Sequence, residues 1–373
     1  MVDSKIRVLY ITHARLSFSR AHARNIVKTA EYLNQEPDCA VTIFSSATEP
    51  QRKNIIFEAK GVTRLFPLDV ASRKRSLFFA VFQLRATYDI LYYRDPRLFF
   101  VACIARFFLR KRVVFEAHGS HEWRFMKGVW LLAFRVSHGA VFITERLRQW
   151  YGADAARSVV THVNAPDDVF FTVDRAKLRT QTRARLKIPD KTFLVSYIGS
   201  TLWYDVQTLV TMLPLLSENV SLLLVGMKED EEKRIRACAR TFHVEDRLVI
   251  HGRVLSRDVF SYLVASDVLL IPPTLSYPGS ICSKIYEYLL AGVPIVAHPA
   301  GANDEVLHDG KNALLVRGNA PSLFADIVKR LQNDEHLRFS LGQQALIDAR
   351  AYTWKRRAEA ICHFLYNVAS VKD

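Results

Sequence analysis

The chain has 373 residues, 50% hydrophobic and 24% charged, proportions of an ordinary globular protein that exclude disorder and fibrous repeats. Its five cysteines, Cys39, Cys103, Cys238, Cys282 and Cys362, are scattered with no C-x-x-C pair, which argues against a zinc or disulfide framework and for a reducing compartment. The net charge is +15, of which residues 1–170 carry +11 and the remainder +4, so any attraction to an anionic surface belongs to the first half.

The length is comfortable for two cores, and the chain shows one alternation twice. The amino end, MVDSKIRVLYITH, has an apolar run too short for a secretory signal and is expected to enter the fold as a strand. Short continuous apolar runs at 7–11, 41–44, 90–93, 113–115 and 140–143 read as strands buried on both faces, the mark of a parallel sheet. Polar residues close them: Thr12-His13, Arg94-Asp95, Glu116-Ala117-His118 and Thr144-Glu145. Ligands of open parallel sheets bind beyond the carboxyl ends of the strands, so these residues are expected to line one crevice. His118 and Glu116 point to the same side of an extended chain, and Gly119 allows a sharp turn behind them. A lone histidine in such a place is more often a structural hydrogen bonder.

Basic and aromatic residues interleave in this half. Arg73-Lys74-Arg75 precedes LFFAVFQLR, and Leu98-Phe99-Phe100 leads into Arg106-Phe107-Phe108-Leu109-Arg110-Lys111-Arg112. Such helices suit an anionic lipid interface; the alternative is aromatics packed under the sheet with solvated basic flanks. No nucleic-acid module is present, and no apolar stretch approaches a spanning helix, since the best, 98–109, is short and carries Arg106.

A break is expected near 164–177, where VVTHVNAPDDVFF leads through a basic helical stretch, 175–186, into a second set of strands at 193–198, 222–225, 248–250, 268–271, 294–297 and 314–316. Gly199-Ser200-Thr201 follows the first of these, where a glycine lets backbone approach a phosphate. Gly226 reads as a tight turn ending its strand, and Gly252, in His251-Gly252-Arg253, as a turn or a ligand contact. A last amphipathic helix is expected over 352–368, anchored by Trp354.

The run 276–316, SYPGSICSKIYEYLLAGVPIVAHPAGANDEVLHDGKNALLV, carries the most information. Ser280 is a plausible N-cap, Ile281, Ile285 and Leu289 recur at helical spacing, Gly292 fits a left-handed C-cap and Pro294 forbids continuation. The helix is thus expected to begin at Pro278-Gly279-Ser280, offering bare amides to a phosphate around Ser280 and Ile281, with Lys284 in its first turn and Glu287 on the same face.

The sequence S-x-K-I-Y-E-Y-L-L-A-G-V-P-I-V-A, with Gly301, Glu305-Val306 and Asp309-Gly310-Lys311-Asn312 beyond it, resembles the C-terminal signature of the retaining GT-B glycosyltransferases of family 4, the group 1 glycosyltransferases. The resemblance implies an α/β chain of two Rossmann-like domains facing a central cleft: an acceptor-binding domain over 1–172, a donor-binding domain over 173–351 and a helix over 352–373 that crosses back. It implies transfer of a sugar, with retention, from a UDP- or GDP-sugar; together with the basic first half, the acceptor is expected to be a lipid-linked or cell-envelope glycan met on the cytoplasmic face of a membrane. Donor contacts then fall on Glu287 for the ribose, on Lys284, Arg253 and Gly199, Ser200 and Thr201 for the diphosphate, and on Gly279, Ser280, Ile281 and Ser283; His118, with Glu116, would meet the reacting sugar. Ser19, Arg20 and Arg94 are placed at the acceptor.

Three departures stand out. The first glutamate of the family's E-x7-E falls on Gly279, and Leu202-Trp203-Tyr204-Asp205 replaces the usual Lys-Gly after the first donor-domain strand. Ser19-Arg20-Ala21 likewise replaces a glycine pair, which suggests a different or anionic acceptor. No residue is an obvious covalent nucleophile, no D-x-D is present, and neither a metal nor a cofactor besides the nucleotide-sugar is expected. The other readings are a degenerate member that binds nucleotide without turnover and an epimerase of the same fold, for which Glu116 is the only obvious carboxylate. A dinucleotide oxidoreductase is disfavoured, because no G-x-G-x-x-G follows either first strand.

Overall fold

The structure is a computed structural model that describes residues 5–14, 21–45, 63–65, 81–119, 124–163, 168–201, 203–274 and 281–371. Two compact units divide the chain: Met1–Ala165 with Trp354–Asp373, and Pro166–Thr353. The first boundary precedes the expected one at residue 172, and the last helix groups with the amino-terminal unit.

Unit 1 runs β1 (Ile6–Thr12), α1 (Ala21–Leu33), β2 (Cys39–Ser45), β3 (Thr63–Leu65), β4 (Ile90–Tyr93), α2 (Phe99–Cys103), β5 (Arg112–Ala117), α3 (Arg124–Val136), β6 (Gly139–Phe142), α4 (Glu145–Tyr151) and β7 (Ser158–Val160). The sheet order is β3-β2-β1-β4-β5-β6-β7, and every pairing is parallel. Strand β3 is one the sequence reading did not find. The central strands are buried on both faces, which is why they read as unbroken apolar runs. The order reverses between β1 and β4, so their carboxyl ends flank a switch point.

Unit 2 contains α5 (Arg175–Arg185), β8 (Phe193–Ile198), α6 (Gln207–Thr211), β9 (Val220–Met227), α7 (Glu229–Thr241), β10 (Leu248–Gly252), α8 (Ser256–Ala265), β11 (Val268–Ile271), α9 (Ile285–Ala291), β12 (Ile295–Ala297), β13 (Leu314–Leu315), α10 (Pro321–Asn333) and α11 (Glu335–Ala349). Its sheet order, β10-β9-β8-β11-β12-β13, reverses between β8 and β11. Arg179 and Arg183 of α5 clamp Asp267, whose carboxylate also takes the Leu194 N–H, so this basic helix is tied to the start of β8.

The last helix, α12 (Trp354–Ser370), packs on unit 1 against α1. Trp354 is buried and stacks on Tyr32 with ring centroids 6.4 Å apart, the anchoring expected of it. Phe364 closes over Gly139, where an added Cβ would lie 2.6 Å from its ring.

Three expectations are corrected. Helix α9 begins at Ile285, with Lys284 as its N-cap residue and no side-chain cap; 283–284 are a turn, and Asn303 accepts the Cys282 N–H at 2.9 Å. Gly226 does not end its strand. It sits inside β9 at φ +101°, opposite a register shift in β10, and a Cβ there would meet the Gly199 carbonyl at 3.1 Å. In the basic-aromatic stretch the packed-aromatic alternative holds only in part: Leu98, Phe99 and Leu109 pack against the core, whereas Phe100, Phe107 and Phe108 are 60%, 63% and 77% exposed, and Arg106 donates to the Val136 carbonyl and Lys111 to that of Tyr88. Arg73, Lys74 and Arg75 lie outside the described residues. Among the described residues, no helix is long and apolar enough to cross a membrane.

Candidate functional site

Unit 2 builds its site at the switch point. Gly199, directly after β8, has φ +144°, a conformation L side chains rarely adopt, and a Cβ there would lie 1.9 Å from Cε of Lys284. The Lys284 side chain thus runs back from the start of α9 to the end of β8. Its Nζ stands 4.1 Å from the centroid of the Tyr204 ring and 5.2 Å from that of Tyr197, a desolvated cation–π arrangement of roughly 2 kcal/mol. Burial lowers its pKa, against the opposing pull of Cys282 and Glu287.

The aromatic wall is held by backbone. Tyr204 bridges Thr274, the Thr274 hydroxyl donates to the Trp203 carbonyl at 2.8 Å, and the Asp205 N–H donates to Pro273 at 2.8 Å. The Tyr288 hydroxyl accepts the Ile198 N–H at 2.9 Å, pinning α9 across the end of β8. A cavity of about 200 Å³ opens here, with Trp203, Tyr204, Ile281, Ser283 and Gly301 in its lining.

Of the residues predicted for the donor, Gly199 and Lys284 are in direct contact and Ile281 and Ser283 line the cavity. Ser200 follows Gly199 and its carbonyl accepts the Tyr197 hydroxyl. Thr201 is engaged by Glu231, and Glu287 sits half-buried in the first turn of α9. Arg253 is exposed beyond edge strand β10, two strands from β8. Gly279 and Ser280 lie outside the described residues, as do Ser19 and Arg20. The Tyr197–Tyr204 wall escaped sequence reading. Its only signal was two tyrosines flanking the loop where the family's Lys-Gly is missing.

Unit 1 gathers a second cluster. Glu116, 2% exposed, is the hub: Arg357 Nη2 and His118 Nε2 meet its Oε1, the latter at 2.6 Å, and Tyr92 and Tyr10 donate to its Oε2 at 2.9 and 3.3 Å. Burial alone would raise the Glu116 pKa, but Arg357, His118 and Arg94 outweigh it and hold the carboxyl well below the usual range. Burial and the charge of Arg94 push His118 down to about 3, so the imidazole is neutral. Facing a carboxylate that only accepts, its Nε2 carries the hydrogen and Nδ1 is a lone pair. Arg94 lies within electrostatic reach of Tyr10, Glu116 and Arg357. Arg357, from α12, is the member sequence reading missed; a buried arginine in an otherwise amphipathic terminal helix leaves no local signature.

The family described as "Glycosyl transferases group 1" matches residues 192–334. The D-inositol 3-phosphate glycosyltransferase of Xylanimonas cellulosilytica is 30% identical over 223 residues, covering 58% of this chain and 53% of that protein. The enzyme of that name from an Arthrobacter species is 26% identical, over 54% and 51%. The chain thus spans about half the length of the curated relatives it matches. Among solved structures, Anabaena Alr3699/HepE in complex with UDP and glucose superposes with a TM-score of 0.77 at 18% identity, covering 97% of this chain and 99% of that one. A glycosyltransferase of Rickettsia africae gives a TM-score of 0.80 at 13% identity, covering 99% and 100%. These likenesses show the fold. Residues 192–334, with the Gly199–Lys284 site inside them, match the group 1 glycosyltransferase family, on a chain of GT-B fold.

Proposed function

We propose that the protein transfers a sugar from a nucleotide-sugar to an acceptor hydroxyl with retention of configuration. The observation that carries this is Lys284 delivered onto Gly199 at the switch point of unit 2. Lys284, just before α9, reaches the β8 loop in which the family's Lys-Gly is missing, so a cation is supplied to a diphosphate from a different element. Glu287, one turn on, is assigned to the ribose. The solved HepE binds UDP and UDP-glucose, which favours a UDP-sugar here.

In the reaction the acceptor oxygen attacks the anomeric carbon on the face the diphosphate leaves. A bond forms from acceptor oxygen to carbon, the carbon–phosphate-oxygen bond breaks, and the hydroxyl proton passes to the departing diphosphate. Lys284 and nearby amides stabilise the charge that develops there. The His118 lone pair, fixed by Glu116, is assigned to a hydroxyl of the transferred sugar. An epimerase is disfavoured because all the hydrogen-bonding positions of Glu116 are filled. The acceptor is taken to be a lipid-linked or envelope glycan, approached with the protein peripheral on the cytoplasmic membrane face. The exposed Phe100, Phe107 and Phe108 beside basic residues support that assignment.

Calorimetric titration with UDP, GDP and dTDP, followed by turnover assays with the matching nucleotide-sugars, tests the reading. One nucleotide should bind and its sugar be consumed. Binding without turnover would leave the degenerate member that Gly279 suggests, and binding by none would end the glycosyltransferase reading.

A further inference from the structure

Among the described residues of unit 1, the Arg94 guanidinium has an N–H with no acceptor. Glu116 has about four lone-pair positions, and Arg357, His118, Tyr92 and Tyr10 occupy them. Arg94, at the end of β4 beside the switch point, brings a second guanidinium to a cluster with that one carboxylate. Its neighbour in sequence is no substitute, because Asp95 is gripped by Nε and Nη2 of Arg97 at 2.6 to 3.1 Å. Tyr10 and Tyr92 supply no negative charge either, since burial and Glu116 drive both phenols well above their ordinary pKa. Among the described residues, Nη1 of Arg94 is shut off from solvent with no hydrogen-bond partner. An unmet donor on a charged group works against folding, and such groups are found where a ligand completes them.

We infer that Arg94 receives an anionic group, a phosphate or a carboxylate, carried by the acceptor substrate. The inference rests on the glycosyltransferase reading for the word acceptor and on the geometry of unit 1 for the anion. The guanidinium presents a planar fork that suits two oxygens of one anion, a specificity a lysine would not reproduce. His118 reports occupancy: the charge of Arg94 disfavours protonation of its ring, and an anion on Arg94 offsets that charge.

Histidine-labelled full-length protein is titrated with inorganic phosphate, and separately with acetate, while the His118 ring resonances are followed by NMR. Wild type should show a saturable shift with at least one of the two, and the tighter one names the anion. Arg94→Gln should lose at least tenfold in that affinity, and Arg94→Lys should fall between. In anion-free buffer Arg94→Gln should melt no lower than wild type, because it removes an unpartnered charge. The inference is overturned by an unchanged response in Arg94→Gln, by no response in wild type, or by a melting temperature several degrees lower in Arg94→Gln, which would make Arg94 structural. Displacement of the anion by UDP would assign it to the donor and overturn it as well. Wild-type binding of UDP is measured apart from this: its absence sinks the glycosyltransferase reading while an Arg94-dependent shift still establishes the anion site, and its presence without an anion response sinks only the inference.

Discussion

Cε of Lys284 lies 1.9 Å from the place a Cβ on residue 199 would occupy, so the glycine after β8 and the lysine before α9 exclude any larger side chain at 199. Gly199→Ala must therefore displace the lysine or the loop, on top of the strain of φ +144°. The variant should melt lower than wild type and bind UDP at least tenfold more weakly. Full UDP affinity by calorimetry would separate the lysine from the diphosphate.

Lys284→Met keeps most of the volume between Tyr197 and Tyr204 and removes the charge. It should weaken UDP by about 1.5 to 3 kcal/mol, the range for a charged hydrogen bond, and uridine far less. Glu287→Ala should reduce both alike, because the ribose is common to them. Equal losses of UDP and uridine in Lys284→Met would remove Lys284 from the diphosphate site.

Arg357→Met should cost about 3 to 5 kcal/mol of stability, since it strands the charge of a fully buried Glu116. Adding Glu116→Gln should recover much of that loss. Urea unfolding of wild type, Arg357→Met and the double variant checks it, and a single variant as stable as wild type would show that α12 does not depend on the pair.

Acid should destabilise unit 1 early. His118 and His162 are held down to about 3 and about 4, chiefly by burial, while in the unfolded chain they titrate near 6.5. The unfolded state then binds more protons, so the stability these residues contribute is complete above about pH 6.5 and falls as pH drops through 6.5 toward 4 and 3. Melting temperatures between pH 7.5 and 5 should decline in wild type and decline less in His118→Gln/His162→Gln. Parallel curves would mean that neither ring is buried neutral.

His118→Ala should depress turnover far more than donor affinity, because a contact to the reacting sugar matters most as charge develops. Normal turnover would return His118 to a purely structural role.

Phe107 and Phe108 are the residues to change for the membrane. Phe107→Ser/Phe108→Ser should lose sedimentation with anionic vesicles while keeping UDP affinity, and salt should release the wild type. Retained vesicle binding would place the contact elsewhere, with Arg73, Lys74 and Arg75 next to be replaced.

Which strands exist, and that they are parallel, was legible because a strand covered on both faces must be apolar throughout; 90–93, 193–198 and 268–271 were read to the residue. The short β3 carried too little pattern to read. The family signature was equally legible, since it lies in one continuous run. The start of α9 was not. Ser280 and the glycine before it are good cap residues, but Asn303, 21 positions beyond Cys282, accepts the N–H that a Ser280 cap would have taken, and the helix starts at Ile285.

Local spacing along the chain thus determined the two sheets, the signature run and the presence of a final helix. Only tertiary structure decided the partners of the charges. Glu116 finds Arg357 across 241 positions, Lys284 finds Gly199 across the end of a strand, and Arg94 is left with an N–H that no group among the described residues accepts. A buried charge is held by whichever groups the fold brings within a few ångströms, and sequence distance has no bearing on that.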